Sequence, residues 1–152
     1  MNVPEWEIAL RLGAAAVLGG LLGVQREAHG RDAGLRTHVL LALGAALFAV
    51  VSTTGFDDFI VADRSSTNVV VDPGRIASYV AAGVGFIGGG TILKREQAGE
   101  VKGLTTAASL WVAAAIGVAC GLGLWVAPAI AAGVALLSLA VLHPISKAIG
   151  RD

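Results

Sequence analysis

Charge is scarce in this sequence. Only 14% of its 152 residues are charged, against about a quarter in an ordinary soluble domain. Hydrophobic residues make up 55%, and the mean hydropathy is +0.76. So few polar side chains cannot cover a globule in water, and the composition is that of a membrane protein. Net charge is missing as well: 11 basic residues balance 11 acidic ones, which excludes the basic stripe that a nucleic-acid partner requires. Cysteine is nearly absent. Cys120 stands alone, so no disulfide or cysteine-built metal site can form within one chain, and it is expected to pack as a small hydrophobe. The N-terminus carries Glu5 and Glu7 where a cleavable signal carries positive charge. No nucleophile–base pairing and no metal-ligand spacing occurs, so no enzyme, metal site or cofactor is expected.

Long apolar runs are what the sequence does have. A membrane helix needs about 20 predominantly apolar residues, and the runs predict five helices, at about 5–24, 37–56, 74–93, 104–121 and 124–143. The long uncharged stretch from Gly103 to Leu142 is split in two at "CGLG", followed by Trp125 and Pro128. Arg11 interrupts the first span, and Glu7, four residues before it, is placed to pair with it on one helical face. Arg26, Arg31 and Arg36 gather in one loop, Lys94, Arg95 and Lys102 in another, and Lys147 and Arg151 in the tail. The loop from Asp57 to Asp72 has four aspartates and one basic residue, Arg64. Positive residues collect on the cytoplasmic side, which predicts an all-α integral membrane protein with its N-terminus outside and its C-terminus inside. Trp6, Phe56, Phe59, Tyr79 and Trp125 fall near the outer ends, as an interfacial belt.

Glycine is abundant and ambiguous. In "GVGFIGGGTILKRE", Gly83, Gly85 and Gly88 satisfy G-x-G-x-x-G, the signature of a dinucleotide-binding turn. That turn must follow a strand and open a helix, whereas these glycines lie within the third apolar run. Close helix packing is the better reading. Gly19 and Gly23, Gly85 and Gly89, and Gly117 and Gly121 each form G-x-x-x-G, and small residues let helices approach in lipid, where no hydrophobic drive brings them together.

The sequence also repeats. Shifted by 69 positions, "GGLLGVQREAHGRDAGLRT" falls on "GGGTILKREQAGEVKGLTT" without a gap, with eight of nineteen positions shared. Gly19-Gly20 meets Gly88-Gly89, Arg26-Glu27 meets Arg95-Glu96, and Thr37 meets Thr106. Each copy joins an inward-going helix to an outward-going one. The expected architecture is therefore two parallel helix-hairpin repeats plus a fifth helix, an arrangement that serves transporters and structural bundles alike.

Three stretches in order, "GLRTHVLLALGAALF", "DPGRIASYVAAGVGFIGGGTILK" and "VKGLTTAASLWVAAAIGVACGLG", closely resemble the membrane domain of the MgtC/SapB family of bacterial inner-membrane proteins. The resemblance runs from about Gly20 to Leu142. It implies a role in growth at low magnesium and, in pathogens, in survival inside macrophages. It further implies a regulator rather than a magnesium carrier, with the rotary ATP synthase as a target. Family members continue into a soluble cytoplasmic domain and this sequence stops at Asp152, so roles needing that domain are not expected. Thr105 stands where characterised members carry a functional asparagine.

Ionisable groups at membrane depth are functional candidates by default. Arg26, Glu27, Arg95 and Glu96 sit at the inner ends of the first and third helices. They either snorkel to headgroups or cross-link the repeats, Arg26 to Glu96 and Arg95 to Glu27. Arg36, Thr37 and His38 open the second helix and Thr105 and Thr106 the fourth. Their plainer role is helix starting, with threonine hydroxyls capping free N–H groups; the sharper one is a polar vestibule where two helix N-termini face an anion and His38 adds pH sensitivity. Asp72 and Arg75 begin the third helix, Asp72 as its N-cap. Asp57, Asp58 and Asp63 nearby raise an outer magnesium site, but they are better read as the absence of positive charge. Gly88, with the G-x-x-x-G glycines, completes the packing set. Two functions fit: a non-enzymatic regulator acting through contacts with a membrane partner or with its own copies, in magnesium limitation or acid stress; and a small oligomeric transporter or channel for magnesium or another ion. Helix centres nearly free of charge weigh against the second, because cation pathways carry intramembrane carboxylates.

Overall fold

The computed structural model describes residues 3–55, 72, 74–93 and 102–148. The chain is all-helical there: α1 (Glu5–Ala28), α2 (Leu35–Thr54), α3 (Gly74–Leu93), α4 (Leu104–Gly121) and α5 (Val126–Ala148), with no strand among the described residues. Helices α1, α2 and α4 are each long and apolar enough to cross a membrane. Helix α4 is the hub, touching each of the other four, while α1 also packs on α2 and α5, and α2 on α3.

Helix ends follow local chemistry more closely than the charge boundaries suggested. Helix α1 continues to Ala28, past the expected end at 24, because Arg26 is buried and hydrogen-bonded instead of marking the membrane surface. It stops where Gly30 takes φ +62° and donates to the Glu27 carbonyl, the left-handed ending that glycine permits. Helix α2 starts two residues before the expected 37, and α5 runs Val126–Ala148 where 124–143 was expected. The threonine caps are a correction. The N-cap positions of α2 and α4 are Gly34 and Gly103, neither with a side-chain cap bond. At α2 the free N–H of Leu35 is taken instead by Glu27 Oε2, 2.7 Å away. This puts a carboxylate at a helix N-terminus, where the dipole favours it. Asp72 does cap α3, its Oδ1 accepting from the Gly74 N–H at 2.9 Å.

The core is built from small residues. On α1, Arg11, Ala15, Gly19, Leu22, Gly23 and Arg26 form a buried stripe at the spacing of one helical face. It meets Ala46 of α2, Ala113, Ile116 and Cys120 of α4, and Ala132 of α5. Glycine sets how near the backbones come. A Cβ added at Gly23 would lie 2.6 Å from Leu35 Cα, and at Gly19 2.9 Å from the His38 carbonyl oxygen. At Gly117 and Gly121 it would collide with the carbonyl oxygens of Ala42 and Ala46. Gly88 lies against Ala107, with an added Cβ 3.4 Å from that methyl. The expectation for Gly85 and Gly89 needs correcting. Among the described residues a Cβ at either meets nothing within 4 Å, so their G-x-x-x-G face packs on no described helix.

The 69-residue offset is visible in three dimensions. Glu5 to Gly74 and Leu35 to Leu104, the starts of the paired helices, are both 69 positions apart. Gly19 abuts His38 in the first hairpin, and Gly88 abuts Ala107, their counterparts, in the second.

The close contact of α4 on α2 makes a direct prediction. Gly117→Leu should destabilise the bundle by about 3 kcal/mol or more, since a backbone carbonyl cannot move aside as a side chain can. Gly13→Ala, in open space, should be neutral or gain up to about 1 kcal/mol from helix propensity. Thermal unfolding in mild detergent measures both, and equal midpoints for the two variants would contradict the packing described.

Candidate functional site

Polar groups are rare in the interior, and four of those buried there are joined. Near the end of α1, Arg26 is 4% exposed, and its Nη2 donates to Thr106 Oγ1 of α4 at 2.7 Å. One turn further along α4, Ser109 Oγ lies 2.8 Å from the Thr106 carbonyl oxygen and 3.1 Å from Nε2 of His38 on α2. His38 is fully buried, with Nδ1 2.9 Å from the Gly34 carbonyl oxygen. A carbonyl can only accept, so Nδ1 carries a hydrogen. In a neutral imidazole Nε2 is then an acceptor, and the single Ser109 hydroxyl hydrogen can point to Nε2 or to the Thr106 carbonyl, but not to both. The line Arg26–Thr106–Ser109–His38 thus ties α1, α4 and α2 together around a hydroxyl with two competing acceptors.

The expected residues divide sharply. Thr106 and His38 are buried in this line, whereas Arg36, Thr37 and Thr105 are exposed, as are Glu27, Asp72 and Arg75. The α2 side of the open vestibule expected at the starts of α2 and α4 is therefore corrected: His38 faces the interior through Ser109, and Arg36 and Thr37 are exposed. Among the described residues Arg26 bonds to Thr106 and not to a carboxylate, while Glu27 caps α2. Arg95 and Glu96, the other halves of the proposed cross-links, lie outside the described residues, as do Asp57, Asp58 and Asp63. Among the described residues no group of three or more metal-binding side chains comes together.

Sequence reasoning missed Ser109, which stood unremarked within an apolar run. The signal that could have found it is its place three residues beyond Thr106, on the same helical face. It also missed the reach of Arg11. Glu7 Oε1 accepts from Arg11 Nε at 3.1 Å, the expected i,i+4 pair. Arg11 Nη1 in addition donates to the Gly121 carbonyl oxygen at 3.0 Å. That carbonyl ends α4, where a cation complements the helix dipole.

Beside the polar line opens a cavity of ≈680 Å³ between α1, α4 and α5. Arg26, Arg31, Thr105, Ser109 and Ser138 are its polar lining, and Leu22, Val112, Val134 and Leu139 are among its apolar walls.

Long apolar helices packed through glycine and alanine, with few buried polar groups, define a helical membrane protein. The chain belongs to the MgtC family, whose model matches residues 12–148. It is 46% identical over 140 residues to YhiD of Escherichia coli, provisionally named a magnesium transporter, covering 92% of this chain and 62% of that one. It is 42% identical over 149 residues to an uncharacterized Synechocystis protein, covering 97% and 58%. It is 45% identical over 114 residues to Protein MgtC of Salmonella typhimurium, covering 75% and 43%. The chain thus spans between 43% and 62% of the lengths of these relatives. No solved structure matches it.

Thr106→Val should cost about 1–3 kcal/mol, the penalty for leaving a buried charged donor unpaired. Paired with Arg26→Met in a double-mutant cycle, the two changes should be strongly non-additive. Thermal unfolding of the four proteins checks this, and simple additivity would exclude the buried bond.

Proposed function

We propose that this chain is a five-span protein of the bacterial inner membrane, N-terminus outside and C-terminus inside, that acts in magnesium limitation or acid stress by gripping a membrane partner through its helices. The observation that carries the reading is the open face of α3. Gly85 and Gly89 lie one turn apart with nothing among the described residues within 4 Å of an added Cβ, beside Phe86, which is 86% exposed. In lipid, a small-residue groove gives a foreign helix the close approach that substitutes for a hydrophobic drive. The family relatives supply the magnesium connection.

The interior supports contact over conduction of a cation. Its buried ionisable groups near the end of α1 include Arg26, and Arg31 lines the cavity beside it. Two guanidinium groups repel a divalent cation, whereas cation pathways present carboxylates. The name of the Escherichia coli relative favours the second reading, a small oligomeric transporter, and flux decides between them. Purified protein in proteoliposomes is expected to show no saturable magnesium uptake above an Arg26→Ala/Glu27→Ala control; uptake that the control lacks would establish transport instead.

The contact itself is testable in cells. A photo-crosslinking residue at Phe86 should capture a membrane protein or a second copy of this chain, and Gly85→Leu/Gly89→Leu should abolish that adduct without changing the thermal midpoint. An adduct indifferent to the two leucines would sink the proposal.

A further inference from the structure

The buried guanidinium of Arg26 is incompletely satisfied. One bond, to Thr106 Oγ1, is made by Nη2, while Nε is buried without a hydrogen-bond partner. The adjacent carboxylate, Glu27, is occupied with the Leu35 N–H. No ion pair joins Arg26 to a carboxylate among the described residues. Taking an arginine out of water without a counter-charge is expensive, and the like charge of Arg31 acts on the same group. Both arginines line the cavity between α1, α4 and α5. An anion placed there would meet two guanidinium groups, whose planar forks suit phosphate oxygens, with the hydroxyls of Thr105 and Ser109 also on the lining.

The rest of the cavity narrows the choice of anion. Its walls are apolar side chains of α1, α4 and α5, Leu22, Val112, Val134 and Leu139 among them. A small inorganic ion has no use for such walls, whereas an acyl chain does. Basic pockets between membrane helices, at the positively charged side, are where anionic headgroups bind. We propose that this cavity binds a phosphate oxyanion through Arg26 and Arg31, and that the apolar walls favour a phospholipid headgroup over free phosphate as its source. The site does not depend on the partner contact at Gly85 and Gly89, because it lies among α1, α4 and α5.

The test is native mass spectrometry of the full chain, delipidated in detergent and titrated separately with phosphatidylglycerol, phosphatidylcholine and inorganic phosphate. Arg31→Gln and Arg26→Lys are compared with the wild type, and Arg75→Gln, at the start of α3, serves as a charge-matched control. Circular dichroism confirms that each variant is folded; Arg31→Gln keeps the test decisive if Arg26→Lys is not. Phosphatidylglycerol is expected to bind more tightly than phosphatidylcholine, and Arg31→Gln to weaken it about tenfold, the scale of one charged hydrogen bond, with Arg75→Gln unchanged. The same sensitivity with inorganic phosphate alone would keep the oxyanion site and overturn the lipid source. Lipid and phosphate binding unmoved by Arg31→Gln would overturn the site.

Discussion

The seat of Gly117 and Gly121 of α4 on the carbonyl groups of Ala42 and Ala46 is the contact on which the bundle depends. It brings two helix backbones closer than any side chain allows, and every other feature is dimensioned by it. Because α4 lies that near α2, Ser109 reaches His38; because α4 also touches α1, Thr106 reaches Arg26. Alanine recurs along the same faces, with Ala42, Ala46, Ala113 and Ala114 all buried. Where glycine and alanine face each other the backbones meet directly, so much of the packing comes from many shallow contacts, beside a few larger buried side chains such as Leu22, Leu110 and Ile116.

The polar line then has a plain physical reading. In a low-dielectric interior an isolated hydroxyl or imidazole is costly, but a connected set strengthens its own members. Arg26, Thr106, Ser109 and His38 join three helices through groups that cannot simply be exchanged for apolar ones singly. Arg26 serves two neighbourhoods at once, the hydrogen-bonded line on one side and the cavity on the other, and among the described residues only the first gives it a partner.

Much of this was legible in the sequence for physical reasons. Apolar runs separated by charge give helices directly, and the Glu7–Arg11 pair follows from the spacing of a helical turn. The 69-residue offset survives folding because hairpin geometry is set locally, by Gly19 against His38 and Gly88 against Ala107. What spacing could not show was direction. Gly85 and Gly89 have the same pattern as Gly117 and Gly121, yet the second pair meets a helix and the first meets none among the described residues. Thr37 and Thr106 occupy matched positions in the repeat, yet Thr106 is buried under Arg26 and Thr37 is exposed. The two copies share a scaffold but not an environment, since only α4 sits at the hub. The caps were misread because Gly34 and Gly103 supply helix starts through backbone geometry, with a carboxylate from the preceding helix standing in at α2.

Arg11 carries a consequence for how the protein is made. Its acceptor on α4, the Gly121 carbonyl, lies 110 residues further along the chain, and Thr106 lies 80 residues beyond Arg26. When α1 leaves the ribosome, neither acceptor has yet been synthesised. Arg11 has Glu7 on its own helix to hold its charge in the interim; Arg26 stands next to a carboxylate that is committed to α2 once α2 forms. The first hairpin is therefore made ahead of the groups that complete it, and the arrival of α4 is the event that turns a pair of helices into a closed structure.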